Sequence, residues 1–411
     1  MTSKTERHYP VWLGILSFLA LVGFGAWIYQ LSNGLIVTGM RNIVSWGLYI
    51  TAFMFFVGLS AGGLIVSSSA TVFNIPSFKK VAIPAVILST VCIIVALLFI
   101  VIDLGKPQRF LNLILSPQFN SPLIWDVVVI GLYLFVSIVY LYFMTRPNPD
   151  EGKIAVISRI ALPVAILVHS VTAWIFGLQI ARVAWHSALM APLFVASALD
   201  SGLALLLIVL WILKKFDVYK VEEKLFTSLA GLLAVFVAVD AFFVGCEILT
   251  FAFPGEENVA AALSNLLSGS LAPFFWGQIL LGIVIPFLIL VFAKNRANHK
   301  LVLLASILVV IGVFFKRVWL LFSSFAFPLV PGHLGVTLGE FAESVDSIVI
   351  PNIWATKGVY FPSIFEGLIF VGISSFGVIL YAVLVRKFMV DPKSNPMQKK
   401  VNMTGSLQGG K

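Results

Sequence analysis

Residues 82–110 read AIPAVILSTVCIIVALLFIVIDLGKPQRF. Twenty-one residues without a charge, up to Ile102, are followed at once by an acid, a lysine and an arginine. An apolar helix needs about 20 residues to cross a hydrocarbon core of roughly 30 Å. The stretch therefore reads as a membrane span that stops at a polar boundary. Runs of this length recur along the chain, at about 11–30, 46–72, 82–102, 124–145, 156–179, 189–213, 225–252, 273–293, 300–327 and 363–385. The 411 residues are 60% hydrophobic and only 11% charged, where soluble chains carry about a quarter charged residues. Mean hydropathy is +1.04. The expected fold is an all-α integral membrane protein with about ten transmembrane helices.

A net charge of +9 could point to nucleic acid, but the positions of the basic residues argue otherwise. The segment before span one, those between spans two and three, four and five, six and seven, and eight and nine, and the segment after span ten, with the adjoining helix ends, hold 20 of the 27 Lys and Arg. The positive-inside rule makes these segments cytoplasmic and both termini cytoplasmic, in the cell's inner membrane. Arg41, Lys106, Arg109, Arg182, Lys316, Arg317 and Lys357 lie on the outer side or within spans. The N-terminus reads as a retained first helix, because its apolar run is long and ends in no clear small-x-small cleavage site. Cys92 and Cys246 both lie within spans, so neither a disulfide framework nor an iron–sulfur cluster is expected from this chain.

The expected organisation is residues 1–45 as the first helix and an outer loop, then two similar four-helix bundles over 46–180 (spans 2–5) and 189–327 (spans 6–9). An acidic outer loop at 328–362, a last helix at 363–388 and a polar cytoplasmic tail at 389–411 follow. The bundles rest on a weak internal repeat: FVGLSAGGL (Phe56 to Leu64) echoes FVASALDSGL (Phe194 to Leu203), and SPLIWD (Ser121 to Asp126) echoes APFFWG (Ala272 to Gly277). Four helices separate the copies, so the two units should point the same way across the membrane. Small residues in GLSAGG suit close helix approach.

A charge in the hydrocarbon region costs about 2.5–3.5 kcal/mol or more, so each one calls for an explanation. The candidates are Asp103, Asp126, His169, Asp200, Asp240, Glu247, Lys316, Arg317 and Glu366. Asp103, Asp126, Glu247 and Glu366 fall near the outer face. His169 lies some 15 Å deep at 1.5 Å per residue, and Asp200 and Asp240 come closest to the midplane. The inner half holds mainly hydroxyls such as Ser67, Ser68, Ser69 and Thr71. For Asp103, Lys106, Arg109 and Asp126 one reading is an interfacial hairpin whose charges pair with one another and with lipid headgroups. For His169 one reading is an interhelical hydrogen bond. Asp240 and Glu247, seven apart on one helix face, need partners.

The run DLGKPQRF followed by SPQFNSPLIWD resembles the signature of the polysulfide reductase membrane subunit (NrfD) family. So do WGLYI (Trp46 to Ile50), VGLSAGG (Val57 to Gly63), PFFWGQILLGIVIP (Pro273 to Pro286), FKRVW (Phe315 to Trp319) and YFPSIFEGLIFVG (Tyr360 to Gly372). Ten spans are similar to the family's long branch. The resemblance implies a quinone-reactive subunit, with quinone (menaquinone or ubiquinone, menaquinone preferred) as exchangeable substrate and no haem, metal or iron–sulfur cluster of its own. It implies as partners a ferredoxin-like iron–sulfur subunit and a molybdopterin, hydrogenase or multihaem catalytic subunit on the outer face, and it leaves room for proton translocation.

The short branch carries a quinone-contacting His in the helix that here reads WGLYITAFMFF, where Tyr49 and Thr51 are the comparable polar groups. His169 stands where that branch carries a quinone-binding Tyr. The expected catalytic residues are therefore His169, Asp103 and Asp126, with Tyr49, Arg109 and Trp125 joining His169 and Asp103 at the quinone. Asp200, Asp240, Glu247, Arg317 and Glu366 are the expected proton path, and no metal ligands are expected. Quinol oxidation releases two protons, and a membrane His, with an ordinary pKa of about 6.5, suits their transfer. A di-haem cytochrome would need paired histidines at matching depth, and His169 is the one His well inside a span. A secondary transporter with parallel repeats is the alternative that the midplane acids would suit. A mere membrane tether would not need so many charges inside its spans.

Overall fold

The computed structural model describes residues 3–41, 43–182, 184–219, 221–253, 257–326 and 360–390. Most of the expected outer loop at 328–362, with Lys357, and nearly all of the tail at 389–411 lie outside these residues. Among the described residues ten helices are long and apolar enough to span a membrane: α1 (Ser3–Asn33), α2 (Leu48–Val72), α3 (Ala82–Asp103), α4 (Pro122–Met144), α5 (Glu151–Gly177), α6 (Met190–Lys215), α7 (Glu223–Ala252), α8 (Ala272–Val291), α9 (His299–Phe325) and α10 (Ile364–Val385). We call the side at which α1, α3, α5, α7 and α9 end the distal side.

Side chains start several of these helices. Ser121 accepts the Leu123 N–H with Pro122 at the first helical position, Asp150 accepts the Lys153 N–H, and Asn298 accepts the Lys300 N–H. The Lys153 N–H holds the exposed Asp150 carboxyl below its ordinary range. Ser363 and Glu366 form a reciprocal capping box on α10. Within α8 the turn widens to a π-helix over Gln278–Val284. Pro286, which has no N–H to give, lies just beyond it.

Packing closes two rings, α2–α3–α4–α5 and α6–α7–α8–α9, while α1 and α10 pair with each other and α10 lies on α3. Helix α2 is central, with 89% of its apolar window buried against 11% for α1. Two tyrosines fasten α4 to it: Tyr133 donates to the Ser60 carbonyl (2.9 Å), and Tyr140 accepts from the Ser67 hydroxyl (3.0 Å). The tyrosines are one heptad apart and so are their partners, which fixes the register along the whole contact. Such interhelical hydrogen bonds hold helices together where lipid is as apolar as the side chains.

The rings meet where α2 crosses α6. A Cβ placed on Gly202 would stand 2.6 Å from the Gly62 Cα, so only hydrogens fit between the two backbones. Gly62 lies in FVGLSAGGL and Gly202 in FVASALDSGL, the two copies of the first echoed motif. Gly62→Leu is expected to lower stability by about 1–3 kcal/mol through overpacking that backbone cannot relieve. Thermal unfolding in detergent measures it, and a wild-type midpoint would mean that the seam is softer than it looks.

Candidate functional site

Three groups of buried polar side chains interrupt the apolar interior. The first lies on the distal side, where α1 and α3 end and α2 and α10 begin. Tyr49 Oη donates to Gln30 Oε1 (2.6 Å), and Gln30 Nε2 donates to the Ile102 carbonyl (3.1 Å), which orients the amide. Asp103, the last residue of α3, follows directly, and its Oδ1 is buried with no hydrogen-bond partner among the described residues. Glu366 lies within electrostatic reach of both Asp103 and Tyr49. Its Oε2 accepts from the N–H groups of Gly39 (2.6 Å) and Ser363 (2.8 Å), and its Oε1 accepts from Tyr360 Oη (2.5 Å). Tyr360 in turn accepts the Leu48 N–H (2.7 Å). Burial, with the Glu366 carboxylate beside it, pushes the Tyr360 phenol well above its ordinary range, so it remains a donor.

The second group fills the second ring. Lys316 and Glu247 form an ion pair whose side chains are 0% and 5% exposed. The Lys316 ammonium also stands 3.6 Å from the centre of the Trp319 ring, whose N–H reaches Gln278 Oε1 (2.7 Å) in the π-helical turn. Arg317 donates to Ser197 Oγ (2.5 Å) and lies over the Phe194 ring at 4.0 Å. Its Nε and Nη1, with Asp200 Oδ1 and Asp240 Oδ1, are buried without hydrogen-bond partners among the described residues. Both acids are within electrostatic reach of the guanidinium. Trp185 and Phe325 pack edge to face at 5.1 Å, and Phe325 lies eight residues, about 12 Å, beyond Arg317 along α9.

The third group binds α5 to its neighbours. His169 Nδ1 lies 2.6 Å from the Ala165 carbonyl and Nε2 3.0 Å from that of Val57, so backbone oxygens occupy both ring nitrogens. Asp126 Oδ1 accepts from Thr172 Oγ1 at 2.6 Å. Val57 of α2 and Ser197 of α6 each meet a polar side chain of a neighbouring helix. One receives the imidazole of α5 and the other the guanidinium of α9.

The expected site residues thus separate. Tyr49 and Asp103 come together and Glu366 joins them, away from the group of Asp200, Asp240, Glu247, Lys316 and Arg317 with which it was expected to form one path. Trp125 stands apart, 48% exposed, with its N–H on the Phe119 carbonyl (2.8 Å). Trp276, its counterpart in the repeat, does the same with Leu267 (3.0 Å). Of the interfacial-hairpin reading, ion pairs among Asp103, Lys106, Arg109 and Asp126 do not occur among the described residues, while Lys106 and Arg109 are free to meet headgroups. Gly105, at φ +64°, turns the chain so that Lys106 and Arg109 are exposed. Gln30 and Tyr360 were not anticipated. A lone amide near the end of an apolar span was the available signal for Gln30, and the Ser-x-x-Glu box was the one for the turn that holds Tyr360.

The family model described as polysulphide reductase, NrfD, matches residues 36–329. A protein of Halobacterium salinarum named as a putative dimethyl sulfoxide reductase membrane subunit is 37% identical over 391 residues, covering 90% of this chain and 88% of its own. The Hdr-like menaquinol oxidoreductase integral membrane subunit of Archaeoglobus fulgidus is 28% identical, covering 92% and 93%. A protein of Mesobacillus selenatarsenatis named as one of the subunits of selenate reductase is 26% identical, covering 95% of each. With its ten apolar helices and a match over most of its length, the chain is a multi-pass integral membrane protein that belongs to the NrfD (polysulphide reductase) family.

Proposed function

We propose that the chain is the quinone-exchanging membrane subunit of a respiratory oxidoreductase complex, working between menaquinone and an iron–sulfur subunit on the distal face. A catalytic subunit would stand beyond that partner, and the distal face would be the outer face of the cell membrane, with both termini cytoplasmic. The whole chain would act as one membrane domain. One observation carries the reading: a buried carboxylate oxygen of Asp103 has no hydrogen-bond partner among the described residues, beside the oriented Tyr49–Gln30 pair, where four helix ends meet. An orphaned acceptor next to a fixed hydroxyl fits a quinol headgroup, which offers O–H donors.

A bound quinol supplies two electrons and two protons. Asp103 Oδ1 accepts one of those protons. Tyr49, held by Gln30, keeps its hydroxyl at a fixed place for the ring oxygen. Glu366 accepts from three donors, which fix its place beside the site. Arg109 and the exposed apolar residues Leu111, Ile114 and Leu115 of the adjoining short helix offer a surface for the partner. His169 and Asp126 hold α5 in place from one layer further in. The acids and bases of the second ring are proposed to take up and hand on protons. The name of the Archaeoglobus relative, a menaquinol oxidoreductase subunit, supports menaquinone.

A menaquinone analogue with a photoreactive headgroup tests the site in the purified complex. Labelled peptides are expected to contain Gln30, Tyr49 or Asp103. Labelling confined to the stretch around His169 would move the site to α5.

A further inference from the structure

On the membrane-facing side of the second ring, a groove of about 590 Å³ runs between α7 and α8. Its walls are apolar, with Val235, Ala238, Phe242, Phe287 and Val291 among them, and Arg296 closes one end. We propose that this groove holds an anionic phospholipid, with the phosphate on Arg296 and one acyl chain along α7.

Length is the first argument. The α7 wall runs from Gly231 to Phe243, thirteen residues, whose twelve rises of 1.5 Å make about 18 Å. One leaflet of the hydrocarbon core is roughly 15 Å deep, half of about 30 Å. The groove therefore accommodates one acyl chain from headgroup level to the bilayer centre. Arg296 stands at the headgroup end, in the short helix Ala293–Arg296 between α8 and α9, near Lys294, His299 and Lys300.

Charge is the second. The Arg296 Nε is buried and has no hydrogen-bond partner among the described residues. The acids at the start of α7 are already taken, Glu222 by Lys80 and Glu223 by Lys214 and His299. A guanidinium donor kept from water wants an anionic oxygen, and a lipid phosphodiester offers two that the arginine fork can take together. A neutral prenyl tail would fill the groove and leave that donor unanswered. Gly231 makes the arrangement possible, since a Cβ there would come within 2.5 Å of the Arg296 Nη1.

The test is native mass spectrometry of the full chain released from nanodiscs of mixed phosphatidylglycerol and phosphatidylcholine. The wild type is expected to retain phosphatidylglycerol in preference. Arg296→Gln should reduce that retention about tenfold or more, the worth of a charge-assisted hydrogen bond. Gly231→Leu keeps the arginine but displaces its guanidinium and should act alike. Ala238→Phe fills the groove and should lower retention of both lipids. Lys300→Gln, which removes a nearby charge outside the groove, should change little. Equal phosphatidylglycerol retention in the wild type and Arg296→Gln would overturn the proposal. So would an equal loss in Lys300→Gln, or a groove occupied by a neutral prenylquinone or a second copy of the chain.

Discussion

Asp103→Asn is expected to lower quinol-linked electron transfer by about a hundredfold to ten-thousandfold, the range for removing a positioned acid–base group. Asparagine has the shape of aspartate, and its carbonyl oxygen still accepts a hydrogen bond, so the headgroup has nearly the same contacts to gain. What it loses is the ability to keep a proton. The loss should therefore fall on kcat, with KM for a menaquinol analogue little changed. Tyr49→Phe makes the contrast, because it removes one hydrogen bond worth about 1 kcal/mol and should cost roughly fivefold. The soluble partners should keep their activity with artificial dyes in both variants, which separates a failed quinone site from a failed assembly. Near-normal turnover in Asp103→Asn would remove it as the proton acceptor and return attention to Asp126 and His169.

The ten spans were legible because the membrane imposes a length and a composition on each of them, and twenty apolar residues have few other uses. Close helix approach was legible only as a run of small residues. Which backbones touch, Gly62 and Gly202, depends on a crossing that sequence does not encode locally. Site residues were harder for the same reason. Glu366 reads as one more acid near a helix end, yet what defines it are contacts to Gly39 and Tyr360, the first 327 positions away. Asp103 was picked out by its motif, but its neighbours Lys106 and Arg109 were expected to pair with it. The left-handed turn at Gly105 prevents that, and a glycine in a polar stretch gives no clue to which way its neighbours will face. For His169 a helix position could be read but not its partners, and the interhelical hydrogen bond considered beside the quinone contact is the arrangement found.

Breaking the Lys316–Glu247 pair should have the largest effect on stability. Lys316→Met leaves the Glu247 carboxylate buried without its cation, a defect of about 3–5 kcal/mol in proteins where one partner of a buried pair is removed. Methionine keeps the length of the chain and can lie on the Trp319 ring as the ammonium does, so the cost reports charge more than packing. The double variant Lys316→Met/Glu247→Leu removes both charges, and apolar replacement of a buried pair is often neutral or better. Its unfolding midpoint in detergent should return to near the wild-type value. A double variant as unstable as the single one would mean that Arg317, Asp200 and Asp240 need the pair to hold their own balance of charge. The same protein then asks a functional question that stability does not confound. If the second ring handles protons, the repaired double variant should oxidise quinol in proteoliposomes while releasing fewer protons per electron than the wild type. An unchanged proton yield would leave the buried pair as scaffolding that fixes α7 against α9.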